Sequence, residues 1–275
     1  RLEAAEGILE RNPMDAPVRL VQADALIDLT RTSQARHALT RLLNNKSPHM
    51  TDAMLLMAES YLVDAQQLVR NASIESLDIA TQEMDRLSSE IDAMRSGLAT
   101  IPGTELELIK IEARQCDLRT SLMRVELDHL ETRLAQASAV EMEYQLQQYS
   151  GLVTDLQKKV DELDAKLETL CRSAIVLDPS DPVPHGLLFR KRLRAGNLDE
   201  ARELARTIAQ PPTLRRELAG WVANTILDLP ETHGGIAQPG DVQIAHSLVE
   251  HKNLEGKVHI DYDLARANLA LHMDK

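Results

Sequence analysis

Aromatic residues are nearly missing: Phe, Trp and Tyr make up 2% of 275 residues, with a single Phe189 and a single Trp221. Any core must therefore be built from Leu, Ile, Val, Met and Ala. Those side chains suit helix-on-helix packing, whereas sheets draw on aromatic and β-branched residues. No stretch alternates apolar and polar residues with period two, and the sequence reads as all-α. Two cysteines, Cys116 and Cys171, are too few for a disulfide framework. If the chain reverses near Ser150, they sit 34 and 21 residues from the turn. The offset of about 13 residues is roughly 20 Å along a helix, too far to bridge, so both are read as small core or seam residues.

No window approaches ~18 uninterrupted apolar residues, so no segment is expected to span a bilayer. Positive charge is also in deficit. The net charge of −12 and pI near 5.2 argue against general nucleic-acid binding, which depends on neutralised phosphates, and against anionic membrane surfaces. The sequence lacks His-Glu-x-x-His, Cys-x-x-Cys, Gly-x-x-x-x-Gly-Lys and Gly-x-Ser-x-Gly. Nine histidines are present, but His246 and His251, five apart, fall on different helix faces. They and the other histidines beyond residue 232 are read as surface residues rather than a weak metal site. Acid pairs such as Glu141 and Glu143, or Asp161, Glu162 and Asp164, fit solvated helix faces. No catalytic residue, metal or cofactor is assigned, and the chain is expected not to be an enzyme. Arg1 opens directly into helical pattern and Lys275 follows a helix without a cap. The sequence therefore reads as a piece of a longer protein, with cytoplasmic and periplasmic placement both open.

Internal repetition is the positive signal. In Ala195-Gly196-Asn197-Leu198-Asp199-Glu200-Ala201, Gly196 ends one helix and a second begins with acids in its first turn. Leu188 and Phe189 take core positions on the first helix, and Ala201, Ala205 and Ile208 on the second. Asp178-Pro179 closes the preceding element, and Pro182 opens the first helix where its missing N–H costs nothing. A second copy has Asn12-Pro13, then Ala23 and Leu26, then Ala35, Leu39 and Leu42. Pro48 follows Pro13 by 35 residues, and Met54, Met57, Ala58 and Tyr61 continue the pattern. This arrangement resembles the tetratricopeptide (TPR) family, whose period is ~34 residues. Arg19, His185 and Arg192 depart from it, standing where the family usually has large apolar residues.

Between these copies the period is lost. Ile74, Leu77, Met84, Leu87, Ile91, Met94 and Leu98 are spaced in threes, fours and sevens. So are Leu152, Leu156, Val160, Leu163, Leu167, Leu170, Ala174 and Leu177, a pattern that predicts coiled-coil seams. Pro102-Gly103 breaks the region, giving antiparallel helices at roughly 51–98 and 104–148. Tyr149-Ser150-Gly151 is expected to turn the chain into a third helix, 152–177. Asn71-Ala72-Ser73 fits a glycosylation sequon but is expected to lie within a helix. Three further helices are predicted at 213–228, 240–252 and 259–274. The Gly/Pro-rich stretch 229–240 between the first two reads as an insertion loop. The expected organisation is TPR-like repeats over 1–60, a protruding coiled-coil insertion over 61–177, and a TPR-like and degenerate helical repeat over 178–275.

Against the acidic whole, Gly186–Arg216 carries eight positive and three negative residues, a balance of 8 − 3 = +5. In the TPR family such residues on the first helix of a repeat face a groove. The resemblance thus implies that His185, Lys191 and Arg194 bind a protein or peptide partner, an acidic one by charge. The functional expectation is a non-catalytic binding scaffold. Its alternatives are a structural protein that homo-oligomerises through the coiled coil, and a regulatory part of a larger enzyme.

Overall fold

The computed structural model describes all residues except 45–47, 140–142, 211–213, 230–237, 256–259 and 274–275. Glu141, Pro211, Pro212, His233, His259 and residues 230–237 of the insertion loop thus lie outside the described residues. The chain is all-α, with twelve α-helices and one two-residue strand pair among the described residues. None of these helices is long and apolar enough to cross a membrane. The fold divides into two compact units, Arg1–Leu167 and Glu168–Lys275.

The first unit begins with α1 (Leu2–Arg11), α2 (Ala16–Asp28), α3 (Thr32–Asn44), α4 (Met50–Asn71) and α5 (Leu77–Leu98), each packed on the next. Asp15 caps α2 by accepting from the Val18 N–H, and Pro17 sits in the first turn. Between α2 and α3, Thr30 takes φ 58°, with its N–H on Ile27 O and the Arg31 N–H on Leu26 O. This Schellman turn is rarely built on a β-branched residue. Ala23, Leu26, Ala35, Leu39, Leu42, Ala53 and Met57 bury the apolar faces of α2, α3 and α4 together. Asp64 on α4 accepts from Thr32 at 2.6 Å and from Arg36 at 2.7 Å, tying α3 to α4.

The expected single helix 51–98 is two. α4 ends at Asn71, Ala72 swings to ψ 128°, and Ser73 and Ser76 form a reciprocal cap over a short 3₁₀ turn before α5. The sequon is thus at a helix terminus, not inside one. The predicted break at Pro102-Gly103 is present: Gly103 has φ 83°, and Thr104 Oγ1 donates to Leu98 O at 2.9 Å.

Next come two 35-residue helices, α6 (Glu105–Ala139) and α7 (Glu143–Leu177). The reversal expected at residues 149–151 does not occur, because α7 runs straight through Ser150 and Gly151. Gly151 does not adopt a positive φ, and a glycine inside a helix costs only about 1 kcal/mol. Within the first unit, Arg124–Asp164 at 2.7 Å and Glu112–Lys166 at 2.6 Å order α6 and the part of α7 up to Leu167 antiparallel. The offset computed for the cysteines from a turn at Ser150 therefore does not apply. Both side chains are buried thiols rather than a disulfide. Leu156, Val160 and Leu167 are buried along α7.

The second unit holds the end of α7 with α8 (Pro182–Arg194), α9 (Leu198–Ile208), α10 (Arg216–Leu227), α11 (Pro239–Val249) and α12 (Ile260–Met273). Leu214–Arg215 (β1) pairs in parallel with Leu254–Glu255 (β2). Phe189, Ala201, Ala205, Ile208, Val222, Ile226, Ile244, Leu248 and Leu269 belong to one core. Phe189 meets the Trp221 ring edge-on, centroids 5.4 Å apart. At the crossing of α10 and α12, a Cβ added to Gly220 would lie 2.4 Å from the Tyr262 backbone N.

Local geometry recurs between the two units. Asp181 caps α8 through the Val183 N–H as Asp15 caps α2, and Gly196 (φ 70°) closes α8 with the hydrogen bonds Thr30 makes after α2. His185 Nε2 donates to Pro179 O at 2.9 Å, and Arg19 donates to Pro13 O six residues back in the same way. Two of the three departures from the TPR pattern, Arg19 and His185, are thus polar heads closing the entry turn of their helices, while the third, Arg192, pairs with Glu168 and Glu200.

Candidate functional site

The second unit carries the groove of interest. Asp178 and Asp181 fix the entry to α8: the Asp178 carboxylate accepts from the Ser180 N–H at 2.9 Å, and Asp181 caps the helix. α8 then directs Phe189 into the core. Its basic face turns to Glu168, which accepts from Lys191 Nζ at 2.7 Å, Arg172 at 2.7 Å and Arg192 at 3.0 Å. Hydrogen bonds from Lys191 and then Arg172 pull the Glu168 carboxyl from its usual 4.5 down to about 2.

A carboxyl depressed on folding stabilises the native state above its unfolded pKa, and that contribution fades as pH falls through the folded value. Glu168 should therefore add up to about 3 kcal/mol at neutral pH, lost between about pH 4.5 and 2. Urea titrations at a series of pH values should show Glu168→Gln less stable than the parent at pH 7, with the gap closing towards pH 2. A gap that does not change with pH would contradict this account.

The basic stretch is largely matched by acids of its own unit. Besides the Glu168 cluster, Arg192 meets Glu200 at 3.0 Å, Arg206 meets Glu203 at 2.9 Å, and Arg202 meets Asp241 at 2.7 Å. Arg190 lies over the Trp221 ring, 5.8 Å from its centroid. Lys191 is buried, its stem packed inward and its ammonium on Glu168. His185 is buried as well, its Nε2–H spent on Pro179 O, and it lines the groove. Arg194 is half-buried at the last turn of α8 and does not line the groove.

The groove itself, of about 490 Å³, runs between the end of α7, α8 and α9. Ile175, Val176, Leu188 and Leu204 give it apolar walls, and Arg172, Glu200 and Glu203 stand at its rim. Val176 is 81% exposed and its neighbour Leu177 56%. The end of α7 thus leaves two large apolar residues in water, with Val176 lining the groove. Periodicity placed Leu177 at the end of the α7 seam but left out Val176, so sequence reasoning missed the residue most open to the groove.

Among the described residues no group of three or more His, Cys, Asp or Glu side chains is arranged to hold a metal. Comparison with protein-family models gives no match, and comparison with curated proteins gives none either.

Proposed function

We propose that the chain is a non-catalytic interaction scaffold of TPR-like helical-repeat design, taking an apolar-faced protein segment into the α7–α8–α9 groove. The observation that carries this reading is the exposure of Val176 beside the apolar walls of Leu188 and Leu204. Buried apolar anchors supply most interface energy, while rim charges mainly set orientation and rate. Since Lys191 and Arg192 are held by Glu168, an acidic character of the partner is secondary to its apolar face. The recurrence of the Asp15 and Asp181 caps, the Arg19 and His185 turn locks and the Thr30 and Gly196 closures supports a repeat origin for α2–α3 and α8–α9.

We read α6 and α7 as the coiled coil, a spacer or a second contact surface. The alternative of self-assembly through the α7 seam is less well supported, because Leu156, Val160 and Leu167 are already covered within one chain.

The test is retention of partners by the full chain beside Val176→Asp, with Ile79→Asp, also on a highly exposed apolar residue, as control. Loss of tenfold or more in the first and no change in the second is expected, with hydrogen exchange in α8 and α9 slowed by the retained protein. Equal retention by Val176→Asp would remove the groove from the reading.

A further inference from the structure

Among the described residues Arg19 is the buried arginine of the first unit that lacks an acid. Arg36 is matched by Asp64, Arg95 by Glu112, Arg114 by Glu59 and Arg124 by Asp164. Arg19 is only 8% exposed, more buried than any of these, and its hydrogen-bond partner is the neutral Pro13 carbonyl. Asp15 is close in sequence, but its carboxylate is engaged by the Val18 N–H and Asn12. Facing Arg19 is a second cation, Arg41 from the last turn of α3, which leans on His37 at 3.3 Å. Among the described residues neither arginine is in an ion pair.

Both line one cleft, of about 500 Å³, between the start of α2 and the end of α3. Among the described residues the other walls are Pro13, Met14, Ala16, Leu42, Asn44 and Pro48, and Met14 is 72% exposed. The volume falls within the ~300–1,000 Å³ of small-molecule sites, more than a bare inorganic ion needs. A guanidinium presents paired donors that match a carboxylate or phosphate, and two converging on an apolar cleft select for an anion with an apolar body.

We propose that this cleft binds an organic oxyanion, a carboxylate or phosphate monoester on an apolar group, with Arg19 and Arg41 holding the oxygens and Met14, Leu42 and Pro48 the body. Burial, and after it the nearby Arg41 charge, depresses the Arg19 guanidinium below its usual value. An arriving anion therefore relieves a repulsion that the folded chain otherwise sustains. The site lies in the first unit and does not depend on the groove of the second.

Calorimetric titration of the full chain with phenyl phosphate, benzoate and inorganic phosphate at low salt tests the assignment. Saturable binding of phenyl phosphate or benzoate is expected, with inorganic phosphate weaker because it leaves the apolar wall unused. Arg41→Gln, an exposed position whose change leaves the helices intact, should weaken binding tenfold or more, and Arg41→Lys should restore part of it. Tighter phenyl phosphate assigns a phosphoryl ligand and tighter benzoate a carboxylate; either sustains the site. No saturable binding of any probe, or equal affinity in the parent and a folded Arg41→Gln, overturns it. Equal affinity for inorganic and phenyl phosphate overturns the apolar part.

Discussion

Replacing Asp241 by Leu should cost the second unit about 3 kcal/mol or more, a loss expected when one partner of a buried ion pair is removed. Asp241 is 2% exposed, and its two carboxylate oxygens accept from Arg202 Nε and Nη2 at 2.7 and 3.0 Å. This fork joins α9 to α11. Without it the guanidinium, 16% exposed at its side chain, keeps among the described residues only Asp199, which is fully in water and cannot follow it inward. Arg202→Met combined with Asp241→Leu should recover most of the loss, since an apolar pair of similar volume removes both charges together. Urea unfolding followed by Trp221, the sole tryptophan and a resident of this unit, measures the four corners of the cycle. A single-mutant loss under about 1 kcal/mol would mean the pair behaves as a surface bridge.

Gly220→Ala should be comparably damaging. Its added methyl would meet backbone, not a yielding side chain: Tyr262 N at 2.4 Å, Tyr262 Cα at 2.5 Å and Asp261 C at 2.6 Å. α10 and α12 can separate only by breaking the Asn224 Nδ2 to Asp261 O bond at 2.8 Å and opening the Ala265 and Leu269 contacts. Overpacking costs about 1–3 kcal/mol where side chains can shift, and this site should reach the upper end or exceed it. Alanine is otherwise the better helix former by about 1 kcal/mol, so a stabilised variant would show that the helices are not in close approach. Gly151→Ala makes the matched comparison. Nothing lies within 4 Å of its Cβ position, and the gain from propensity should appear there undiluted.

Gly196 and Gly151 show what one sequence does and does not disclose. Gly196 was legible as a helix stop because an acid-led helix follows it. Gly151 was not distinguishable from it by composition, yet it lies inside α7. Conversely, the stop after α4 contains no Gly or Pro, being made by Ser73 and Ser76, and periodicity ran straight across it. Thr30 makes the same left-handed closure as Gly196 with a residue that carries no such signal. The all-α class was legible because it rests on composition and spacing summed over many residues.

The candidate sites were less accessible. Lys191 and Arg192 sit on a helix face whose charge balance was readable, but their common acceptor Glu168 is more than twenty residues upstream, and only folding brings it there. Arg19 and His185 were visible as misfits to an apolar pattern. Their reason, a proline carbonyl six residues earlier, needed the turn geometry.

The two buried cysteines fall one in each unit, Cys116 in the first and Cys171 in the second. Burial pushes the Cys116 thiol above its usual pKa, and a thiol that is neither ionised nor accessible does not react with alkylating agents. Cys116, whose charged neighbours Arg95, Glu112, Arg119 and Lys166 all belong to the first unit, is thus a built-in clock: its alkylation rate, read by mass spectrometry, reports how often that unit opens.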